Sequence, residues 1–399
     1  MKIGLIKETK TPPDSRVALI PAQAAIINQI PDIEVVVAPS PSRCFKDEAY
    51  EKKGLQLQED LSDCDILMGV KEVKIDTLIP NKTYFFFSHT VKKQAYNRNL
   101  LRAVLEKNIR LIDYEVLTDE KGKRLIAFGR FAGMVGAHNA LWTYGHRTGE
   151  FLLKRMKDCF DYAEAKVQYQ EMKWPPIRIV LTGGGRVSMG ASEVLKDMGI
   201  QQVSPKEFLE NIFSEAVFTQ IHSSDYAERK DGGGYDKADF YAHGDQYKSR
   251  FAPYAQKADI LINGIYWDKK APAFFAAEEL ANPDFSISVI ADVTCDIAPD
   301  SSIPATIRAS TIADPVFGLD PQTLAEIPAF SPQGIDMMTI DNLPNELPRD
   351  ASENFGKQFM ENILPELQVP DSAVLLRATV AQNGQLGPDF SYLQDYVNG

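Results

Sequence analysis

Ile177-Arg178-Ile179-Val180-Leu181-Thr182-Gly183-Gly184-Gly185-Arg186-Val187-Ser188-Met189-Gly190 is the stretch that decides the fold. Ile179-Val180-Leu181 has the makings of a short buried strand, and Ala191–Gly199 reads as the helix that follows the glycines. Strand, Gly-rich turn and helix N-terminus together suit a pyrophosphate. They offer free backbone N–H groups, a close approach without Cβ atoms and the positive end of the helix dipole. The G-x-G-x-x-G spacing is met at Gly183 and Gly185, with Ser188 where the third glycine would fall. Serine is small enough for close helix–strand packing. The residues expected to meet a dinucleotide here are Gly183, Gly184, Gly185, Arg186, Val187 and Ser188. A plain structural turn could carry the same glycines; the strand–turn–helix context favours the cofactor.

Outward from that turn, the chain reads as two domains. Its 399 residues exceed what one compact core serves. Before the turn, short apolar runs at Ile3–Ile6, Glu34–Val37, Ile66–Val70, Thr83–Ser88 and Arg110–Tyr114 read as strands of parallel α/β type. Helix candidates at Pro21–Ile30 and Ala95–Lys107 lie between them. A long helical pattern from Ala137 to Gln170 reads as a spar between domains, ending at Trp174-Pro175-Pro176. After the turn, strands are expected at Gln201–Val203, Asp259–Asn263 and Ser288–Asp292, with a polar excursion over His222–Gly244. Past residue 340 only a helix, Ser352–Leu364, and short polar elements are expected. The expectation is an α/β protein of two Rossmann-like domains with a cleft between them, linked by long helices. Residues 1–137 plus 341–399 would form a discontinuous substrate domain and 138–340 the dinucleotide domain.

The formal net charge is −12 and the pI about 5.1, which argues against nucleic acid, whose phosphates need clustered Lys and Arg. The N-terminus reads as a strand rather than a signal peptide, and no run of roughly 18 apolar residues suggests a membrane span. Cys44, Cys64, Cys159 and Cys295 are scattered, so no structural metal is expected and reduced thiols in the cytoplasm are the simple reading.

Three strand ends of the first domain carry ionisable residues, and strand carboxyl ends line the ligand crevice of such sheets. Lys71 follows the run Asp65–Val70, His89 ends the run Tyr84–Ser88, and Glu115 follows Leu111–Tyr114. A desolvated Lys becomes a base near neutral pH, and a His there can pass protons. Arg16, just after the first strand, could bind a carboxylate bidentately. The strand ending at Val203 has no acid at its tip, where one usually binds the ribose hydroxyls. Ser204 and Lys206 could accept a 2′-phosphate there. NADP(H) is therefore favoured, with NAD(H) the second choice.

Lys7-Glu8-Thr9-Lys10 through Arg16-Val17-Ala18-Leu19, with Pro21, resembles the opening of the alanine dehydrogenase, transhydrogenase and lysine-forming saccharopine dehydrogenase superfamily. Gly69-Val70-Lys71-Glu72 and Phe87-Ser88-His89-Thr90 look like the segments that supply its catalytic Lys and His. Asp113–Leu117 and Ala127–Gly133 resemble the saccharopine branch. Thr182–Ala191, Leu261–Trp267 and Ile340–Pro344 look like the lysine–ketoglutarate reductase half of bifunctional aminoadipic semialdehyde synthases. With the last residue at Gly399, the glutamate-forming half is expected not to be fused.

The resemblance implies an NAD(P)-dependent oxidoreductase that condenses L-lysine with 2-oxoglutarate to saccharopine, or runs the reverse. It implies proton work for Lys71 and His89, a hold on the lysine ammonium for Glu115, and substrate carboxylates for Arg16 and Arg130. Asn263 and Gly264 would lie near the nicotinamide ribose, and Asp296 falls where alanine dehydrogenases carry a functional Asp. The partners are small molecules; a homo-oligomer is compatible. Two rival readings remain open at this point: an alanine dehydrogenase-type enzyme, and a non-catalytic dinucleotide-binding module.

Overall fold

Parallel sheets covered on both faces need strands made of Val, Ile, Leu and Phe with little alternation. The computed structural model, which describes Met1–Gly399, contains two mainly parallel sheets of eight strands each, with antiparallel strands at one edge of each. The chain divides into two units, Met1–Phe128 with Pro348–Gly399, and Gly129–Leu347. The expected boundaries at 137/138 and 340/341 shift to 128/129 and 347/348, because the helix beginning at Gly129 belongs wholly to the second unit.

The first unit opens with β1 (Lys2–Leu5), β2 (Glu34–Val37), β3 (Gln56–Leu57), β4 (Ile66–Met68), β5 (Thr83–Phe86) and β6 (Arg110–Asp113), all parallel to their neighbours. Helices α1 (Pro21–Asn28), α2 (Asp47–Glu51) and α3 (Arg98–Glu106) cross between strands. Proline opens α1, where its missing N–H costs no helical bond.

The second unit begins with α4 (Gly129–Thr148) and α5 (Tyr162–Glu171). These replace the single helix expected over Ala137–Gln170. Gly149, at φ +71°, ends α4 in a conformation that favours glycine, and the Asp161 carboxylate starts α5 by accepting the Glu164 N–H. Then come β7 (Arg178–Thr182), α6 (Arg186–Asp197), β8 (Gln201–Val203), α7 (Pro205–Glu210) and β9 (Val217–Ile221). The polar excursion holds a small antiparallel pair, β10 (Ala227–Arg229) with β11 (Tyr247–Ser249). The sheet resumes with β12 (Ile260–Asn263), β13 (Val289–Asp292), β14 (Val316–Leu319), β15 (Glu326–Ile327) and β16 (Ile335–Met338). Its order is β15-β14-β16-β13-β12-β7-β9-β8. β9 therefore lies beside β7, and β8 is the edge strand.

The chain returns to the first unit through the helix Pro348–Asn362 and adds β17 (Thr379–Gln382) and β18 (Gln385–Leu386). No strand is expected from the sequence there. β17 pairs antiparallel with β6 and completes the order β18-β17-β6-β5-β4-β1-β2-β3. Phe128 stacks on Phe355 of the returning helix at 4.7 Å, with Phe87 and Tyr114 around them, so the return is held by an aromatic cluster in which Tyr114 and Phe355 are fully buried. In the second unit α4 and α6 cross at glycines. A Cβ on Gly133 would overlap the Val187 carbonyl, and one on Gly190 the Arg130 carbonyl. No helix is long and apolar enough to cross a membrane.

Candidate active site

In the first unit, β6, β5, β4 and β1 are adjacent and parallel, so their C-terminal ends share one edge. The segments leaving that edge carry Glu115, His89, Lys71 with Glu72, and Glu8. The sheet thus gathers residues from Glu8 to Glu115, 107 positions apart in the chain.

Glu8 is turned toward the next strand end. Its Oε1 and Oε2 accept the N–H groups of Val70 and Lys71, at 2.5 and 2.9 Å. Burial, and then the Asp14 carboxylate, push its carboxyl up to about 8. Lys71 moves the opposite way. Burial, and then the Arg16 charge, lower its ammonium to about 8. Arg16 is itself buried, with Nε and Nη2 on the Asp14 carboxylate at 3.0 and 2.6 Å and its guanidinium 4.3 Å over the Phe128 ring. Two of its nitrogens are thus committed to Asp14. The fixed cation favours a neutral Lys71, in place of the bidentate substrate clamp expected from the sequence.

His89 pairs through Nδ1 with Glu72 Oε1 at 2.7 Å. Burial opposes ionisation of Glu72, but the hydrogen bond from His89, its charge and Lys10 at 3.3 Å outweigh it, and the carboxyl falls to about 2. An ionised carboxylate only accepts, so Nδ1 carries the proton and Nε2 is left as the exchanging nitrogen. Asn97 supports the pair, donating from Nδ2 to the Ser88 carbonyl at 2.9 Å and to Glu72 at 3.4 Å. His89 has φ +53°, a left-handed conformation that is uncommon for a side-chain-bearing residue and clusters at functional sites. Just before it, the Ser88 N–H and hydroxyl both donate to Asp113 at the end of β6, tying the two strand tips together.

Glu115 follows Asp113. Its Oε1 takes Lys92 at 2.8 Å and Arg124 at 3.1 Å, while Oε2 is buried without a hydrogen-bond partner. Burial raises this carboxyl, but Lys92 and Arg124 prevail and hold it below its usual range. Glu8, Glu72, Lys10, Lys92 and Asn97 carry no role in the sequence reading. Glu72 sits directly after Lys71, yet only the sheet brings it to His89, 17 positions away.

The second unit holds the Gly-rich turn. Gly183 has φ +92°, and a Cβ there would meet Ser188 Oγ at 2.8 Å. Ser188 is fully buried and donates to the Thr182 carbonyl at 2.8 Å, locking the turn from inside. Gly185 is the N-cap of α6, with no side-chain cap and open space where a Cβ would stand. A phosphate can approach that backbone directly, so the turn fits a dinucleotide's pyrophosphate. Arg186 opens α6, and Val187 directs its carbonyl at α4.

Other expected cofactor residues are placed differently. Asn263 is fully buried, its amide spent on Thr182, Asp292 and Ser302 at 2.8 to 2.9 Å, so it ties strand tips instead of facing a ribose. Gly264 packs against Ser188 and Val187. Asp296 follows Cys295, which has φ +56°, in the loop after β13, and its N–H donates to Thr294. Ser204 caps α7 in a reciprocal pair with Glu207, and Lys206 is exposed beside Glu210. Both lie at the tip of edge strand β8, two strands from β7, so the NADP(H) preference loses that support. Arg130 belongs to the second unit, in α4, where Glu193 takes it bidentately at 2.9 and 2.5 Å.

The alanine dehydrogenase/PNT N-terminal domain family matches residues 4–135. Among solved structures, an L-alanine dehydrogenase superposes over 100% of this chain and 99% of its own, with a TM-score of 0.67 and 16% identity, which shows a shared fold. The α-aminoadipic semialdehyde synthase of Arabidopsis thaliana is 30% identical over 98% of this chain, which spans only 41% of that protein. The chain likewise spans under half, 44%, of the mitochondrial synthase of Mus musculus, at 31% identity. The saccharopine dehydrogenase [NAD(+), L-lysine-forming] of Emericella nidulans is 30% identical, with 91% of each chain covered. By that match the chain belongs to the L-lysine-forming saccharopine dehydrogenase family.

Proposed function

We propose that the chain is a nicotinamide-dependent oxidoreductase acting on CH–NH groups, which joins the ε-amine of L-lysine to 2-oxoglutarate as saccharopine, or runs the reverse. The observation that carries this reading is the acid–base set on adjacent strand ends, Lys71 beside the Glu72–His89 pair. It accompanies the family named by the Emericella relative.

The residues divide the proton work. With its ammonium lowered to about 8, about one Lys71 in ten is neutral at pH 7, against about one in 3,000 for an unperturbed Lys. That neutral amine accepts the proton that the substrate amine sheds as it adds to the keto carbon. His89, oriented by Glu72 through Nδ1–H, gives the second proton of its imidazolium form from Nε2 to the carbinolamine hydroxyl as it leaves as water, and takes that proton back in the reverse direction. The buried, unpaired Oε2 of Glu115 is the acceptor we assign to a substrate ammonium. Cations for the substrate carboxylates come from this edge, where Lys10 is shared with Glu72 and Lys92 and Arg124 with Glu115, and Arg16 is shared with Asp14. Gly183, Gly184, Gly185 and the start of α6 hold the dinucleotide, whose nicotinamide, when bound, supplies the hydride that saturates the imine.

Reduced-nicotinamide oxidation is to be followed with L-lysine plus 2-oxoglutarate, and separately with pyruvate plus ammonium. Turnover with the first pair is expected. Turnover with the second pair alone would sink the reading in favour of an alanine dehydrogenase-type reaction.

A further inference from the structure

We infer that Tyr392 and Tyr396 are positioning residues of the active site, whose hydroxyls hold the loop carrying His89 and Lys92 in its working conformation. The inference rests on the reading that His89 exchanges protons beside Glu72 and that Glu115 meets a substrate ammonium. The loop needs a hold because it bends through two left-handed residues, His89 at φ +53° and Lys93 at φ +55°. Residues with a Cβ enter that conformation at a cost, and keep it only where the surroundings impose it. The near side of the loop is tied within the sheet. The Ser88 N–H and hydroxyl donate to Asp113, and Asn97 Nδ2 donates to the Ser88 carbonyl. Farther on, the Lys93 N–H closes a turn on the Thr90 carbonyl at 2.9 Å.

The far side is held from a distant part of the chain, the helical stretch Pro388–Leu393 that continues as Gln394–Asn398. The Tyr392 hydroxyl donates to the Val91 carbonyl at 2.9 Å, and the Tyr396 hydroxyl to the Gln94 carbonyl at 2.5 Å. Lys93 Nζ lies 5.6 Å from the Tyr392 ring centroid. The two bonds bracket Lys92, whose Nζ meets Glu115 at 2.8 Å, and follow directly on His89, whose Nδ1 meets Glu72 at 2.7 Å. The stretch is itself anchored. Phe390, Leu393 and Tyr396 are buried in one cluster with Leu100 and Leu101 of α3, and Arg102 Nε donates to the Val397 carbonyl at 2.6 Å. Tyr392 is half-exposed, yet burial and then the Asp113 and Glu115 carboxylates raise its phenol, so the hydroxyl stays a protonated donor through neutral pH. Phenylalanine would serve the packing of both rings; the hydroxyls serve the loop.

Tyr392→Phe combined with Tyr396→Phe keeps both rings and removes both bonds. One neutral hydrogen bond corresponds to about 2- to 10-fold in an equilibrium, so turnover with L-lysine and 2-oxoglutarate is expected to fall at least about fivefold. A hold that acts through His89 has little left to lose once His89 has lost its carboxylate. In a Glu72→Gln background the same pair of changes should therefore cost less than about twofold. NMR of the full chain labelled with 15N-histidine, with His89 assigned by His89→Asn, gives a second readout at a pH where the ring is neutral. The parent should show the proton on Nδ1, and the Phe pair a shift toward exchange between the two tautomers. Tyr392→Phe alone, at a half-exposed ring, should show both changes to a smaller degree, and replaces the pair if the pair folds poorly. Parental turnover and an unmoved imidazole signal would overturn the inference. So would an equal loss in the parent and Glu72→Gln backgrounds, the mark of a merely structural contact. Absence of turnover with L-lysine and 2-oxoglutarate in the parent would instead remove the proposed reaction, and the imidazole signal, read without substrate, would still decide whether the tyrosines hold the loop.

Discussion

Lys71→Met is expected to make the protein more stable and inactive at once. Lys71 is lowered from 10.5 to about 8. At 1.36 kcal/mol per pKa unit, that difference disfavours the folded state by about 3 kcal/mol while both states are protonated. The sign follows from proton counts. Below pH 8 the folded and unfolded chains both carry the ammonium, and the full penalty applies. Between pH 8 and 10.5 the unfolded chain binds more protons, so stability rises with pH and the penalty fades. Methionine keeps an unbranched chain of similar size and carries no charge. The variant should therefore exceed the parent by up to about 3 kcal/mol at pH 7, less any packing loss, with the gap closing toward pH 10.5. Urea unfolding of both proteins at pH 7, 8.5 and 10, alongside turnover, measures this. A variant no more stable than the parent at pH 7, or a gap that does not narrow with pH, would refute a desolvated, deprotonation-prone Lys71.

Glu72→Gln leaves His89 Nδ1 without an ionised acceptor. Turnover should fall at least about tenfold, a part of the 10²- to 10⁴-fold worth of a positioned acid–base group, while the thermal midpoint moves little. Gly190→Ala places a methyl against the Arg130 carbonyl where α4 crosses α6; a loss of about 1–3 kcal/mol in chemical unfolding is expected, and an unchanged midpoint would contradict the packing described. Gly183→Ala imposes a left-handed conformation, costing about 1–2 kcal/mol, and crowds Ser188 Oγ. Nicotinamide fluorescence titration should show weaker dinucleotide binding, with the first unit's stability unaffected.

The parts of this protein legible in its sequence are those that local chemistry dictates. Five strands of the first unit, β1, β2, β4, β5 and β6, appear within a few residues of their apolar runs, because a strand buried on both faces must be apolar throughout; the short edge strand β3 (Gln56–Leu57) has no such run and is not expected from the sequence. The Gly183–Gly185 turn is legible because only glycine meets a positive φ and a bare backbone at once. Features set by tertiary pairing stayed hidden. Nothing local distinguishes β8 from β9 as the neighbour of β7, so the sequence points to Ser204 and Lys206 although they follow the edge strand. Asn263 follows a strand beside the turn, but burial turned its amide inward to Asp292 and Ser302. Gly149 alone, inside a helical pattern, did not reveal that α4 stops there. Glu72 acquires its partner only when β4 and β5 align their ends.

The central claim is that this chain makes the secondary amine between lysine and 2-oxoglutarate. The most direct measurement is to supply reduced dinucleotide deuterated at the transferable position, with L-lysine and 2-oxoglutarate, and to analyse the product by mass spectrometry. The account predicts saccharopine carrying one deuterium, on the carbon that was the keto carbon, and no such product from Lys71→Met. Unlabelled 2-oxoglutarate recovered intact, or deuterium appearing only in alanine when pyruvate and ammonium are supplied, would contradict it.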